Sequence, residues 1–127
     1  MKLRTFLIVA AVLALGYALG LILMPAFMNT TYGLGTSASE ILLARVFGVE
    51  LLVLGLLTWL AKDLTGASVR PIITGNLVGN AVGAIIALMG TLNGVMNSAG
   101  WSAVVIYLFL TLGFAYFQFM APDRQSV

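Results

Sequence analysis

The stretch "LLARVFGVELLVLGLLTWLAKD" (residues 42–63) is long and apolar enough to cross a membrane, yet it contains Arg45 and Glu50. A membrane-spanning helix needs about 20 predominantly apolar residues. With this stretch, the apolar runs predict four helices, at roughly 6–24, 41–61, 71–92 and 101–120. We therefore expect an all-α integral membrane protein, with residues 1–127 forming one domain. Its fold would be a four-helix transmembrane bundle of up-down topology.

The composition excludes most kinds of active site. Hydrophobic residues make up 61% of the chain and charged residues 8%, whereas about a quarter of a soluble domain is charged. Cys and His are both absent, which removes thiolate metal sites, Cys nucleophiles and the commonest general base. The four carboxylates, Glu40, Glu50, Asp63 and Asp123, are scattered along the chain. We expect no enzymatic activity, no metal site and no resident cofactor.

The connections between the apolar runs are short. The longest, "PAFMNTTYGLGTSAS" (residues 25–39), is rich in Gly, Ser, Thr and Asn and is predicted to be irregular. The first run exceeds the 7–15 residues of a typical signal-peptide core and has no clear cleavage site, which indicates a retained helix. No connection is long enough for an extramembrane domain, so we expect any function to lie in the bilayer or at its surface.

The basic residues indicate an orientation. Five of the six flank the same side of a chain with four spans: Lys2, Arg4, Lys62, Arg70 and Arg124. Because Lys and Arg are enriched in cytoplasmic loops, both termini are predicted to be cytoplasmic. These residues flank helices and do not cluster on one face, so the basic balance does not predict nucleic-acid binding.

Small residues mark candidate helix contacts. Gly16 and Gly20 are four apart on the first helix, and Gly75, Gly79 and Gly83 follow the same spacing on the third. Such spacing lets two backbones approach closely in a bilayer. These five glycines are predicted to lie at helix–helix contacts.

Three polar side chains are predicted to lie at one depth. Glu50, Asn80 and Thr111 are each about ten residues from the end of their helix, near the middle of the bilayer. Asn76 precedes Asn80 by one turn, and Tyr107 precedes Thr111 by one turn. On the second helix, Glu50 shares a face with Leu43, Val46, Leu54 and Leu57. We expect these faces to meet, which gives a buried polar cluster of Glu50, Asn76, Asn80 and Thr111, with Tyr107 above it and Gln118 below.

Arg45 belongs to the opposite face of the second helix, with Gly48 and Gly55. It is five residues from Glu50, whereas ion pairs on a helix form at three or four. Its side chain either snorkels to the headgroups as an interfacial anchor, or reaches Asn93, Asn97 or a partner subunit. The sequence leaves these alternatives open.

Glu50 has a structural and a functional interpretation. An ionised carboxylate at the bilayer centre is costly, so it requires a partner, water or a bound proton. In the structural interpretation, hydrogen bonds around Glu50 fix the register of the helices. In the functional one, Glu50 is a protonatable site for proton-coupled transport, or binds the polar head of a lipid or quinone-like molecule.

The layout of four helices in about 130 residues, and the opening of the second helix with Arg45 and Gly48 in "LLARVFGVELLVLGLLTWLAKD", resemble the DoxX-like group of small bacterial membrane proteins. The resemblance implies a bacterial or archaeal inner-membrane protein that serves as an accessory or assembly subunit of a membrane complex. Its partners would be membrane lipid and other membrane-protein subunits, or itself. The resemblance transfers no catalytic residue. The alternative function is a small proton-coupled transporter that works as an oligomer.

Overall fold

A computed structural model describes residues 1–120, and in that range it contains helices and turns but no strand. The helices are α1 (Leu3–Leu23), α2 (Pro25–Thr31), α3 (Ala38–Leu60), α4 (Arg70–Leu92) and α5 (Gly100–Ala115). Short 3-10 turns, Ala61–Asp63 and Gly66–Ser68, connect α3 to α4, and a π-helical turn, Tyr116–Met120, extends α5. Residues 121–127, including Asp123 and the Arg124 of the orientation argument, lie outside the described residues.

Within residues 1–120, four helical segments are long and apolar enough to cross a membrane: Leu3–Leu23, Ala38–Asp63, Gly66–Leu92 and Gly100–Met120. They contain 21 to 27 residues and have mean hydropathies of 1.8 to 2.7. At 1.5 Å per residue they measure about 30 to 40 Å, enough for a hydrocarbon core of about 30 Å. The predicted all-α fold with four candidate spans is confirmed at this level.

The connection between the first two spans differs from the prediction, because residues 25–31 form the helix α2. Pro25 occupies its first turn, where the missing N–H is not needed and the fixed φ favours a helix. The next helix begins earlier than expected, at Ala38. Ser37 and Glu40 form a capping box in which the Ser37 Oγ accepts from the Glu40 amide and the Glu40 carboxylate accepts from the Ser37 amide.

The long helices associate in two pairs, α1 with α3 and α4 with α5. In the first pair, Gly48 and Gly55 of α3 press on α1. A Cβ on Gly48 would lie 2.9 Å from the Leu21 Cβ, and one on Gly55 would lie 2.7 Å from the Leu15 Cγ. In the second pair, the ring of Tyr107 occupies the space above Gly83. Small residues therefore determine which faces of the helices meet.

The two pairs are joined at both ends of the bundle. The end that carries Arg4, Lys62 and Arg70, called the basic end below, contains an apolar core with members from α1, α4 and α5. Its centre is Phe6, whose ring stacks edge-on against Phe114 with centroids 4.8 Å apart and lies directly over Gly113. Aromatic pairs of this kind contribute about 0.5–1.5 kcal/mol beyond their burial.

At the opposite end, the connection between α4 and α5 is attached to the end of α2. The Asn97 amide N–H donates to the Tyr32 carbonyl over 2.9 Å, and the Asn97 side chain donates to the Thr31 carbonyl over 3.1 Å. Because Thr31 and Tyr32 lie between α1 and α3 in the chain and Asn97 lies between α4 and α5, these bonds join the two pairs where the apolar core does not reach.

Candidate functional site

The two asparagines of α4 are buried, as the sequence predicts for members of a polar cluster. One of their hydrogen bonds links α4 to α3. Asn76 and Asn80 are 5% and 6% exposed. The Asn76 side-chain amide donates to the Thr58 hydroxyl on α3 over 3.1 Å and to the Ile72 carbonyl over 3.0 Å. Asn80 donates to the Asn76 carbonyl over 2.7 Å. Thr58 is not among the site residues predicted from the sequence, although a lone Thr in an apolar run is a signal for such a partner.

Glu50 is not hydrogen-bonded to these asparagines, which corrects the predicted polar cluster of Glu50, Asn76, Asn80 and Thr111. Its side chain is exposed, and it forms no hydrogen bond or ion pair with any residue in the range 1–120. The reason is the orientation of α3. Gly48 and Gly55 face α1, and Glu50 lies two residues beyond Gly48, about 200° around the helix at 100° per residue. The face of α3 expected to point inward therefore points outward.

Thr111 and Tyr107 also remain separate from the asparagines. The Thr111 hydroxyl donates to the Tyr107 carbonyl one turn earlier on the same helix, over 2.7 Å. The Tyr107 ring packs on Gly83, and Gln118 accepts from the Thr74 hydroxyl over 3.5 Å. The single polar core predicted from the sequence is thus divided into small sites, and the buried side-chain polar atoms of residues 1–120 all have partners.

Arg45 has a partner outside the alternatives that the sequence leaves open. Its Nε donates to the Ile22 carbonyl near the end of α1 over 3.3 Å, while the residue as a whole stays exposed. The last carbonyls of a helix lack intrahelical donors and carry partial negative charge, so a guanidinium there stabilises the helix end. Arg45 therefore fastens the beginning of α3 to the end of α1.

Of the five glycines predicted at helix contacts, only two are closely covered. Gly83 contacts Tyr107 and Gly20 contacts Met28 of α2. At Gly16, Gly75 and Gly79 an added Cβ would meet no other atom within 4 Å. Gly75 and Gly79 are exposed on the outward face of α4, which corrects their assignment to contacts within the chain.

Gly16 lines a cleft between α1 and α2 of about 370 Å³. The cleft is lined by Val12, Leu13, Gly16, Tyr17, Phe27, Met28, Thr31 and Tyr32. Its polar feature is a hydrogen bond of 2.8 Å between the hydroxyls of Tyr17 and Tyr32. The sequence analysis missed this site. A signal was present, because Tyr17 is the only residue with a polar side chain between Phe6 and Leu23.

The protein therefore presents two features that its internal packing does not use, the outward Glu50 and the α1–α2 cleft. Comparison with known proteins adds no functional assignment, because the chain matches no protein-family model, no curated protein and no solved structure. The resemblance to the DoxX-like group stays a prediction.

Proposed function

We propose that the protein is an accessory or assembly subunit of a bacterial or archaeal inner-membrane complex, and that it docks through the outward face of α3. It would cross the bilayer four times with both termini in the cytoplasm. Lys2, Arg4, Lys62 and Arg70 flank the same side of the spans, as the positive-inside rule requires. The observation that carries the proposal is the exposed carboxylate of Glu50 halfway along an apolar span.

The docking surface, called the Glu50 face, consists of Leu43, Val46, Glu50, Val53 and Leu57. These residues lie within about 80° of one another on α3 at 100° per residue. The four apolar members are between 49% and 66% exposed, and Glu50 is exposed at their centre. In a bilayer this face of the isolated chain would contact acyl chains.

Lipid chains alone are a poor environment for this face. Glu50 is 12 residues from Ala38 and 13 from Asp63, so it lies near the midpoint of its 26-residue span. A charged side chain at that depth costs about 2.5–3.5 kcal/mol on insertion scales. Acyl chains provide no hydrogen-bond donor, whereas a helix with Arg, Lys, Asn, Ser or Thr at the same depth does. Attachment of such a helix would remove this cost and bury the four apolar side chains.

Photo-crosslinking in the native membrane tests the proposal directly. A photoreactive amino acid is placed at Val46 or Leu57 on the Glu50 face, and in control proteins at Val78 or Ile86 on the outward face of α4. The crosslinked products are purified in mild detergent and identified by mass spectrometry. We expect one stoichiometric protein partner from the first two positions and not from the controls. Crosslinks only to lipid from all four positions would contradict the proposal.

The same face also supports the alternative, a proton-coupled transporter that works as an oligomer. If the crosslinked partner is a second copy that uses the same face, the two Glu50 side chains lie close together in the middle of the membrane. Proton flux into proteoliposomes would then depend on Glu50, and Glu50→Gln would abolish it while the oligomer persists. A hetero-complex with no flux supports the accessory subunit instead.

A further inference from the structure

The α1–α2 cleft is a separate site from the Glu50 face, because its lining residues lie on α1, on α2 and at Tyr32 and do not include the carboxylate. We propose that it binds the acyl chain of one membrane lipid, with the lipid's ester carbonyl accepting a hydrogen bond from the Tyr17–Tyr32 pair. The inference requires that the chain lies in a bilayer but does not depend on a protein partner. It assigns a ligand site to a region that the proposed docking function leaves unused.

The shape of the cleft results from the path of α2. Met28 contacts Gly20, and Tyr32 contacts Tyr17, so later residues of the α2 region meet earlier residues of α1. The chain therefore turns at Met24 and runs back along α1. This path makes a groove with two walls, one from each helix.

Two glycines one turn apart have opposite roles in this groove. A Cβ on Gly20 would lie 2.9 Å from the Met28 sulfur, so the missing side chain lets α2 approach α1. A Cβ on Gly16 would meet no other atom within 4 Å, and Gly16 lines the cleft. Gly20 therefore brings the second wall close, and Gly16 leaves the space between the walls open.

The opening of the cleft faces the surface that would contact lipid. Val12 and Phe27 line it and are 57% and 64% exposed, which places large apolar side chains at its rim. Its volume of about 370 Å³ is at the lower end of the usual range for ligand sites, about 300–1,000 Å³. An apolar rim and a small volume favour a single lipid acyl chain that enters the cleft laterally from the surrounding bilayer.

The tyrosine pair provides the chemical selectivity. Two hydroxyls have two O–H donors, and the bond between them uses one. The Thr31 hydroxyl also lines the cleft, but it has no free hydrogen to donate to a ligand, because it already donates to the Phe27 carbonyl over 2.8 Å. One phenolic O–H thus remains for an acceptor in the cleft. The pair lies about 9 Å along α1 from Leu23, so the lipid held in the cleft must lie deeper in the bilayer than its neighbours for its ester carbonyl to accept this hydrogen.

The first test measures whether the cleft is the lipid site. The full-length protein is reconstituted with an ester phospholipid that carries a diazirine on its acyl chain, irradiated and mapped by mass spectrometry. We expect the crosslinks to concentrate in residues 12–32. Gly16→Leu should reduce crosslinking there about tenfold, since the leucine displaces roughly two methylenes from the cleft. Gly75→Leu is the matched control, because that glycine is also helical, exposed and uncovered, and it should leave crosslinking unchanged.

The second test measures the hydrogen bond and does not rely on Gly16→Leu folding. Native mass spectrometry compares an ester phospholipid with the ether phospholipid of the same headgroup and chains, which lacks the carbonyl. We expect wild-type protein to retain the ester form about fivefold better, the value of one hydrogen bond. Tyr17→Phe should keep this preference, since the Tyr32 O–H remains, and the double variant Tyr17→Phe/Tyr32→Phe should lose it. Equal retention of the two lipids by wild-type protein, or crosslinks spread evenly over the four spans, would overturn the proposal.

Discussion

Asn76 on α4 donates a hydrogen bond of 3.1 Å to the hydroxyl of Thr58 on α3, and this bond crosses between the two helix pairs. Thr58 is 1% exposed, so neither lipid nor water replaces the bond when it is lost. The second hydrogen of the same amide is held by the Ile72 carbonyl over 3.0 Å. The amide therefore has no spare donor, and its bond to Thr58 fixes the register of α3 against α4.

Replacing Thr58 with valine tests this register bond. Thr58→Val keeps the shape and removes the hydroxyl, leaving a buried amide hydrogen without an acceptor, so we expect a loss of about 1 kcal/mol in the free energy of unfolding. Thr111→Val is the control, because the Thr111 hydroxyl bonds only to its own helix. The measurement is denaturant-induced unfolding in mild detergent. Equal losses in the two variants would contradict the inter-pair role.

The outward position of Glu50 makes a prediction about stability. Because Glu50 is exposed and has no hydrogen-bond or ion-pair partner among residues 1–120, Glu50→Leu should change the free energy of unfolding of the isolated chain by less than about 0.5 kcal/mol. Asn80→Leu should destabilise the chain by about 1 kcal/mol, because Asn80 is buried and donates to the Asn76 carbonyl. The same unfolding assay compares them. A larger loss for Glu50→Leu than for Asn80→Leu would place Glu50 in a buried cluster.

Gly55 of α3 and Gly79 of α4 should respond oppositely to an added methyl group. Gly55→Ala places a Cβ 2.7 Å from the Leu15 Cγ and 3.2 Å from the Leu15 nitrogen, so α1 must move, and we expect a loss of about 1–3 kcal/mol. Gly79→Ala adds its methyl group in open space and should be neutral or stabilise by up to about 1 kcal/mol. Thermal unfolding in detergent measures both. A stable Gly55→Ala protein would contradict the close approach of α1 and α3.

The attachment at the end opposite the basic end predicts a local change in dynamics. Asn97→Ala removes the side-chain donor to the Thr31 carbonyl and the acceptor for the Ala99 amide. We expect faster hydrogen exchange in residues 31–34 and 97–100, with the apolar core at the basic end unchanged, because that core lies at the other end of the bundle. Asn93→Ala, in the same connection, should not alter exchange at residues 31–34. Uniform acceleration along the chain would indicate global destabilisation instead.

Cysteine labelling tests the orientation, and the absence of native Cys makes single-cysteine variants straightforward. Thr65→Cys lies in the connection between α3 and α4, and Ser98→Cys in the connection between α4 and α5; both positions are exposed. The first connection is predicted to be cytoplasmic, and α4 separates it from the second, which is therefore expected on the outer side. An impermeant maleimide should label Ser98→Cys in intact cells. It should label Thr65→Cys only after the membrane is opened. The reverse pattern would invert the proposed topology.

Individual residues show how far the polar site could be predicted from the sequence. The burial of Asn76 and Asn80 follows from their position one turn apart on an apolar helix, since amides in such a helix need internal partners. The identity of that partner as Thr58 depends on how α3 is rotated, which no local pattern reveals. The sequence pattern predicts an inward Glu50 because its apolar neighbours resemble a packing surface, whereas in the structure the glycine face of α3 packs on α1. Tyr17 and Tyr32 could not be paired without knowing that α2 folds back along α1.

The sequence by itself determined the four candidate spans, their approximate ends and the asymmetry of the basic residues, because length, hydropathy and charge are properties of each segment alone. Only the tertiary structure decided which side of each helix meets another, and hence that Glu50 points outward and that α1 and α2 enclose a cleft. The physical reason is that lipid chains are as apolar as leucine, so hydrophobicity does not distinguish the inside of a bundle from its outside. Steric fit at residues such as Gly48 and Gly55 makes that distinction, and it exists only once two helices are brought together.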